Sequence, residues 1–252
     1  MMHRQRSFVS LPQLDRFLYD GEPLPKNALL LTFDDAYPSV YQQAYPLLRE
    51  RGIPATVFVI TELVGTSEPY WWDEIPYYLP DEHSPAEKHA MVWEAKSWKN
   101  AERLAYLEEL RHRSTKAPLR REQLTWENLA EMCEHRITIA NHTHDHPMLD
   151  RLSDVQARQT IRTAKEELDQ RGFDGCYFAY PNGNSSIDTI NALKEEGIRL
   201  AFLFDHQLTS VGTDPLKISR LSMNTANPVW KTRFILSGHH SRYLNIRKRL
   251  WS

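Results

Sequence analysis

The chain has 252 residues, of which 41% are hydrophobic and 25% are charged, enough apolar residues for one sizeable core. Its 31 Lys and Arg against 33 Asp and Glu give a formal net charge of -2, which argues against nucleic acid as the partner. No stretch approaches the ~20 consecutive apolar residues of a membrane span. Met1 to Ser10 is basic but lacks the apolar centre of a secretory signal, so a cytoplasmic location is expected.

Short apolar runs alternate along the chain with segments of helical periodicity. The predicted strands are Ala28–Phe33, Ala55–Ile60, Ile137–Ala140, Cys176–Tyr180 and Leu200–Phe204. The predicted helices are Ser39–Arg51, Leu124–His135, Ser153–Arg171 and Ile187–Glu196. Strands separated by helices are typical of an α/β fold with a mostly parallel sheet or barrel.

The interval from Ser67 to Arg121 interrupts this alternation and is rich in Trp and Tyr. We predict that the chain is one domain over residues 1–252, with an insertion at about 67–121 that is largely helical, notably over Trp98–Arg113. Most of the aromatic rings should pack the insertion onto the domain. Flat apolar sugar faces suit aromatic rings, however, and Trp72 is our candidate for the wall of a sugar-binding groove.

Two adjacent carboxylates, Asp34 and Asp35, follow the first predicted strand. Burial of a carboxylate is costly unless it is paired or binds a cation. Neighbouring side chains on an extended chain point in different directions, so one could ligate a metal while the other faces a water molecule. The alternative is a helix N-cap, because Asp35 lies shortly before Pro38 and a predicted helix.

Three histidines lie within five residues after the strand that ends at Ala140. His142 and His146 are four residues apart, a spacing that fits metal ligands. Pro147 follows directly, which indicates a tight loop and not a helix. A surface turn with incidental histidines is the alternative.

The strand that ends at Tyr180 is followed by a turn of Pro181, Asn182 and Gly183. Backbone N–H groups exposed by such a turn could hold an oxyanion, although an ordinary turn is the simpler interpretation of this segment alone. One carboxylate and two histidines leave open positions on a divalent ion, as in catalytic sites, and a second carboxylate supplies a base.

Three motifs occur in order: TFDD at 32–35, HTHDHP at 142–147 and FAYPNG at 178–183. Together they resemble the polysaccharide deacetylase family, also called the NodB-homology family or carbohydrate esterase family 4, over about residues 29–220. The resemblance implies a distorted (β/α) barrel. It also implies metal-dependent removal of acetyl groups from an N-acetylated polysaccharide or a lipid-linked glycan, with a carbohydrate as the partner.

The resemblance assigns roles to individual residues. The family's catalytic base falls on Asp34, and its metal ligands fall on Asp35, His142 and His146. Thr143 falls where the family keeps a Ser or Thr that supports the histidine loop. Zinc is the expected ion, with cobalt or nickel as alternatives.

The third motif falls on the substrate side of the implied site. Tyr180 and Pro181 are expected to contact substrate, and the backbone N–H of Asn182 is expected to face the oxyanion. Asn182 replaces the family's usual Tyr, which keeps the backbone donor. Ala179 replaces an Arg that orients the base in many members, and Arg220 is our candidate substitute; a plain surface charge is the alternative.

The family's general acid is a late histidine in a Leu-x-His motif, which is not recognisable here. The candidates are His144, His206, His239 and His240. The segment from Phe8 to Asp35 resembles a circularly permuted, exopolysaccharide-type subgroup in which an upstream strand carries a Tyr-His pair. The chain begins after that point, so either the N-terminus is incomplete or this histidine is absent. An open sheet edge is expected in both cases.

The favoured function is N-deacetylation, and three alternatives stay open. The same site could remove O-acetyl groups, as from acetylated xylan. The unassigned general acid motivates a catalytically impaired protein that retains metal and binds glycan. Hydrolysis of other C–N bonds in small cyclic substrates is the third alternative.

Overall fold

The computed structural model describes residues 6–209, 212–224, 226–241 and 243–244, and its seven strands all run parallel to their neighbours. The strands are β1 (Ser7–Val9), β2 (Ala28–Leu30), β3 (Thr32–Phe33), β4 (Ala55–Val59), β5 (Ile137–Asn141), β6 (Asp174–Ala179) and β7 (Leu200–Phe202). β1 pairs with β2, and the other five form a sheet in chain order from β3 to β7. This curled, chain-ordered parallel sheet confirms the predicted distorted (β/α) barrel.

Nine α-helices connect or flank these strands in the described part of the chain. They are α1 (Leu11–Tyr19), α2 (Tyr45–Arg51), α3 (Trp71–Tyr78), α4 (Pro85–Ala95), α5 (Asn100–Arg113), α6 (Trp126–Glu134), α7 (Asp154–Gln170), α8 (Ile187–Glu195) and α9 (Val229–Leu236). Ser153 caps α7 as predicted, since its side chain accepts a hydrogen bond from the Gln156 N–H. None of the helices in the described residues is both long enough and apolar enough to cross a membrane.

Two predicted elements are interrupted in the structure. The strand predicted over Ala28–Phe33 breaks at Leu31, although the Leu31 carbonyl still accepts a 2.9 Å hydrogen bond from Thr56 N–H. The predicted helix Ser39–Arg51 begins as a π-helical turn over Val40–Ala44. Pro46 lacks an N–H, so the regular bond pattern cannot form there.

The two faces of the sheet pack against different helices because side chains alternate along each strand. Val57 of β4 faces outward into a core shared with α2 and α6. Phe58 of β4 and Phe202 of β7 face the other way and share a core cluster with Leu11 and Leu14 of α1. Helix α1 therefore covers the inner face of the curled sheet.

Neither β1 nor α1 was predicted, and α1 links the two edges of the sheet. It follows β1 directly, and its Asp15 forms a two-pronged ion pair with Arg199 beside β7, the shorter contact being 2.8 Å. Tyr19 at the end of α1 donates a 2.9 Å hydrogen bond to the Arg199 carbonyl. In the part of the chain that the structure describes, β1 pairs with β2 only, so its outer edge carries no strand.

Helices α3 to α5 lie between β4 and β5, within the interval for which the sequence predicts an insertion. They have a core of their own, in which Trp71, Ile75 and Tyr78 of α3 pack against Leu107 of α5. Met148, from the loop after β5, joins this cluster and attaches the insertion to the sheet edge. Most aromatic rings of the insertion thus serve packing, as expected.

Candidate active site at the carboxyl ends of the strands

The two adjacent aspartates lie in a strained turn directly after β3. Asp35 and Ala36 both adopt left-handed backbone conformations, with φ of 67° and 54°. Non-glycine residues rarely adopt such values, and they persist only where surrounding contacts impose them. Tyr70 of the insertion donates a 3.1 Å hydrogen bond to the Asp35 carbonyl and helps to hold the turn.

The histidine loop after β5 is equally constrained. Thr143 and His146 have φ of 70° and 49°. The side chain of Asn141 accepts a 2.7 Å hydrogen bond from Thr143 N–H, and Thr143 Oγ1 accepts a 3.0 Å bond from His146 N–H. Thr143 therefore supports the loop, and the His142 and His146 side chains are buried at fixed positions, 2% and 6% exposed.

Asp35, His142 and His146 converge on one point. Their ligand-type atoms lie within 4.8 Å of one another. The Nε2 atoms of His142 and His146 lie 3.3 and 3.4 Å from Asp35 Oδ1. His142 Nδ1 lies 2.8 Å from the Ala179 carbonyl, a contact that places the proton on Nδ1 and leaves Nε2 free to accept a metal ion.

An observation that does not depend on the sequence motifs also indicates that Asp35, His142 and His146 could bind a divalent cation. Asp35 Oδ1 and His146 Nδ1 are buried with no hydrogen-bond partner. Buried polar atoms are normally satisfied, so an unpaired carboxylate oxygen between two imidazole nitrogens indicates a site built for a ligand. One carboxylate and two histidines would leave open positions on the ion.

The electrostatics of the two histidines differ although their rings are 4.9 Å apart. Burial favours the neutral form of His142, but the nearby Asp35 carboxylate, 3.3 Å away, and the charge of Asp34 outweigh burial and raise its pKa. Burial and the neighbouring His142 hold the pKa of His146 well below its usual value. His146 is therefore neutral, which is the form that binds metal.

Asp34 lies beside this group and is held by Arg220 in a two-pronged ion pair. The guanidinium NH1 and NH2 groups donate to Asp34 Oδ1 and Oδ2 at 2.7 and 2.8 Å. The same guanidinium donates to the Leu203 carbonyl and to Thr32 Oγ1, at 2.8 and 3.1 Å. Burial alone would raise the pKa of Asp34, but the charge of Arg220, with His142, outweighs burial and lowers it. The carboxylate is thus ionised and fixed in orientation.

Arg220 reaches Asp34 because the chain after β7 returns to the sheet. Ile218 forms a parallel bridge with Phe202 of β7. Arg220 follows this bridge and donates to Thr32 of β3, so the segment after β7 lies across the curled sheet next to β3. Arg220 contacts Asp34, the candidate base, and with a side chain that is 11% exposed it is not a free surface charge.

Asp34, Asp35, His142 and His146 line a cavity of about 770 Å³, and this part of its lining is called the floor below. Asn182 and Gly183 of the third motif also line it, and Asn182 has a left-handed φ of 55°. Gly183 has φ of 76°, and a Cβ added there would lie 2.4 Å from the Phe204 backbone nitrogen. Only glycine fits this close approach of two chain segments, which positions the turn at the cavity.

Tyr180 and Pro181 do not reach the cavity, contrary to the expected substrate contact. Tyr180 is completely buried in the core between the sheet and α7 and α8, and its hydroxyl donates a 2.8 Å hydrogen bond to the Leu216 carbonyl. Pro181 is also buried and is absent from the cavity lining. The alternation of side chains along β6 turns Tyr180 towards the helices, so it is a core residue.

Trp72 does line the cavity, next to the candidate metal ligands. Its ring lies edge-to-face with His146, with centroids 4.7 Å apart, and its indole N–H donates a 2.7 Å hydrogen bond to Tyr37. Sequence reasoning did not select Tyr37 or the α4 residue Trp93, which also line the cavity. Only a helical spacing within the insertion could have pointed to Trp93.

None of the four histidines considered as general acids lines the cavity in the described structure. His144 points to Thr61, with Nδ1 and Oγ1 2.9 Å apart. His206 and His240 pack against each other near the cavity edge, with ring centroids 6.2 Å apart. His239 is paired with Ser237. His89, from α4, lines the cavity but was not considered.

Comparison with known proteins places this geometry in a family. Over 182 residues the chain is 25% identical to YxkH of Bacillus subtilis, whose own polysaccharide deacetylase assignment is provisional; the match covers 72% of this chain and 46% of YxkH. Over 54 residues it is 43% identical to the poly-beta-1,6-N-acetyl-D-glucosamine N-deacetylase of Staphylococcus aureus, covering 21% of this chain and 19% of that protein. The chain therefore spans less than half the length of either relative.

A solved structure shows the same fold. The Streptococcus pyogenes deacetylase PplD, in complex with acetate, superposes with a TM-score of 0.62 at 20% identity, covering 88% of this chain and 75% of that one. The family model for polysaccharide deacetylase matches residues 21–201, which is most of the chain. These matches confirm the family that the three motifs indicated: the chain belongs to the polysaccharide deacetylase family.

Proposed function

We propose that this protein hydrolyses the acetamide group of N-acetylated sugars in a polysaccharide or lipid-linked glycan, with zinc as its metal. Family membership and the name of the Staphylococcus aureus relative support a carbohydrate N-acetyl substrate. The observation that carries the proposal is the convergence of Asp35, His142 and His146 beside an ionised Asp34 on the floor of one cavity.

Asp35, His142 and His146 would hold the ion. When bound, a zinc ion supplies Lewis acidity that polarises a carbonyl and lowers the pKa of water. The donor set of two imidazoles and one carboxylate suits zinc, and cobalt and nickel accept the same donors. The Ala179 carbonyl keeps the His142 ring in the orientation that ligation needs.

Asp34 acts as the general base. Arg220 occupies one lone pair on each of its oxygens, which leaves acceptor capacity for the proton of an attacking water. The water gives a proton to Asp34 and adds to the acetamide carbonyl. The C–N bond then breaks, the departing nitrogen takes up the proton that Asp34 accepted, and acetate and a free sugar amine are formed. Because Arg220 fixes the carboxylate in advance, little orientational freedom is lost when the reaction begins.

The turn of Asn182 and Gly183 supplies the remaining polar group of the site. The Gly183 N–H donates a 2.8 Å hydrogen bond to the Tyr180 carbonyl, so Asn182 supplies the N–H donor at the cavity, and a donor held by a strained turn stabilises a developing oxyanion without reorganising. Trp72 of the insertion lines the cavity beside His146 and adds an apolar surface next to the proposed metal site.

Acetate release tests the proposal. The purified protein, stripped with a chelator and reloaded with zinc, cobalt or nickel, is incubated with oligomers of β-1,6-linked N-acetylglucosamine and, separately, with acetylated xylan. We expect metal-dependent acetate release from the amide substrate and at least a 100-fold loss with Asp34→Asn. Asp20→Asn, an exposed aspartate outside the cavity, is the matched control.

The outcomes separate the alternatives. Release from xylan alone would make the protein an O-deacetylase. Metal and glycan binding with turnover that Asp34→Asn leaves unchanged would refute the catalytic proposal and favour a binding protein.

A further inference from the structure

One face of helix α4 forms a wall of the cavity. Lys88, His89, Val92, Trp93 and Lys96 line it, and their spacing of three or four residues places them on one side of the helix. This wall belongs to the insertion, and the turn of Asn182 and Gly183 lines the same cavity. It contains no residue to which the proposed hydrolysis assigns a role.

Trp93 is the central side chain of this wall and is 59% exposed. Its indole N–H donates a 2.8 Å hydrogen bond to His89 Nε2, and the Lys96 Nζ lies 4.3 Å from its ring centroid. Neighbours on the same helix therefore fix the orientation of the ring. An exposed, pre-oriented aromatic ring in a cavity is suited to stack against a sugar face.

Lys96, the C-cap residue of α4, differs in its ion pairing from two other charged residues that line the cavity, Lys88 and Asp73. Lys88 lies 3.6 Å from Asp81, and the cavity residue Asp73 lies 3.7 Å from Arg121. Within the described residues Lys96 forms no ion pair and contacts the ring of Trp93. Burial favours its neutral form and lowers its pKa, and the attraction of Asp35 opposes this only partly.

The charge of Lys96 consequently faces the cavity without a dedicated counter-charge. Asp35, the acidic group whose field reaches it, is the proposed ligand of a divalent ion, so its charge is committed elsewhere. The contact with the Trp93 ring offsets only part of the cost of half-burying the ammonium group, and an anion entering the cavity would stabilise it further.

We propose that Lys96 and the ring of Trp93 form a subsite for an acidic sugar unit, one that carries a carboxylate or a phosphate next to the N-acetylated sugar. The ring stacks on the sugar and the ammonium group binds the anion. This rests on the proposed function for the acetylated sugar, but the charge preference is a separate property of α4. It makes an acidic heteropolysaccharide or a phosphate-linked glycan a better substrate than a neutral homopolymer.

Binding measurements test the subsite without turnover. In the zinc-loaded Asp34→Asn protein, calorimetry compares a hyaluronan tetrasaccharide, in which N-acetylglucosamine alternates with glucuronate, with neutral chitotetraose. N-acetylglucosamine 1-phosphate against N-acetylglucosamine forms the phosphate arm. We expect one or both anionic ligands to bind about 10-fold more tightly than their neutral partners, the effect of one charge-assisted hydrogen bond. The arm that shows the preference identifies the anion.

Variants on the same background assign the preference. Lys96→Gln should bring the affinity ratio close to one, and Lys96→Arg should retain most of it because the charge remains. Lys194→Gln, an exposed lysine of α8 outside the cavity, should leave the ratio unchanged. Equal affinities for anionic and neutral ligands in the parent protein, or a preference that survives Lys96→Gln, would overturn the inference.

These results are distinguishable from failure of the proposed function. If wild-type protein releases no acetate from any substrate, the hydrolytic proposal fails whatever the affinity ratio. If acetate is released from neutral and acidic glycans with equal kcat/KM, and the affinities are equal too, only the subsite is refuted.

Discussion

The floor and the α4 wall of the cavity are built in different ways. The floor consists of strand ends at which His142 and His146 are buried, Asp34 is held by Arg220, and Asp35 and His146 have left-handed backbone conformations. The wall is a helix of the insertion with an exposed Trp93 and an unpaired Lys96. Under the proposed function, this contrast would place the chemistry, which depends on sub-ångström positioning, on the rigid part of the fold. Recognition of the glycan can then change with the insertion.

The largest expected effect is on the floor. Asp35→Ala should weaken zinc binding about 1000-fold, because one of three protein ligands is lost from an ion whose binding is worth roughly 10–16 kcal/mol in four-ligand sites. Competition with a chromophoric chelator measures the affinity. Asp73→Asn removes an α3 carboxylate that lines the same cavity but lies outside the floor, and this variant should retain zinc. Equal losses in the two variants would show that the ion is held by general negative charge and not by the floor.

A substitution of Gly183 tests how closely the turn after β6 must approach Phe204 for the fold to be stable. Gly183→Ala puts a Cβ 2.4 Å from the Phe204 backbone nitrogen and should cost about 3 kcal/mol of unfolding free energy. Gly197→Ala has a similar backbone conformation, with φ of 69°, but open space around it. It should cost only about 1 kcal/mol, the conformational part alone. Urea unfolding measures both, and equal costs would mean that the close approach is not a constraint.

A substitution of Arg220 tests whether it serves the proposed reaction by orienting the Asp34 carboxylate or only by its positive charge. Arg220→Lys keeps the charge but cannot make the two-pronged contact with Asp34, so kcat/KM should fall about 10-fold while zinc content stays constant. Arg199→Lys changes a matching pair with Asp15 that lies outside the cavity, and should leave kcat/KM unchanged. Full activity of Arg220→Lys would reduce its role to charge neutralisation.

The sequence was most informative about the floor, because its groups are adjacent in short motifs. Asp34 with Asp35, and His142 with His146, follow apolar runs whose carboxyl ends meet in a parallel sheet. Arg220 was predictable only as a candidate, since its contact with Asp34 spans 186 residues and depends on how the sheet curls.

Other parts of the fold carried weaker signals. β1 is only three residues long, too short to show a period. α1, in contrast, has an apolar face, a capping serine and a proline in its first turn, which together could have predicted it. Tyr180 was placed on the substrate side because it belongs to a functional motif, but strand alternation turned it into the core. The α4 wall was missed because its helix is nearly as polar on one side as on the other, and its role depends on where the insertion packs.

The smallest expected effect lies on the wall. Trp93→Ala should raise KM for an N-acetylated oligosaccharide about fivefold and leave kcat nearly unchanged, since a stacked aromatic ring contributes roughly 1 kcal/mol to binding and does not touch the floor. Trp230→Ala removes a tryptophan of α9 that is 69% exposed and lies outside the cavity, and it should change neither constant. A fall in kcat with Trp93→Ala would mean that the wall positions the reacting acetyl group. The division between a rigid chemical floor and an adjustable recognition wall would then be wrong, because one helix of the insertion would serve both.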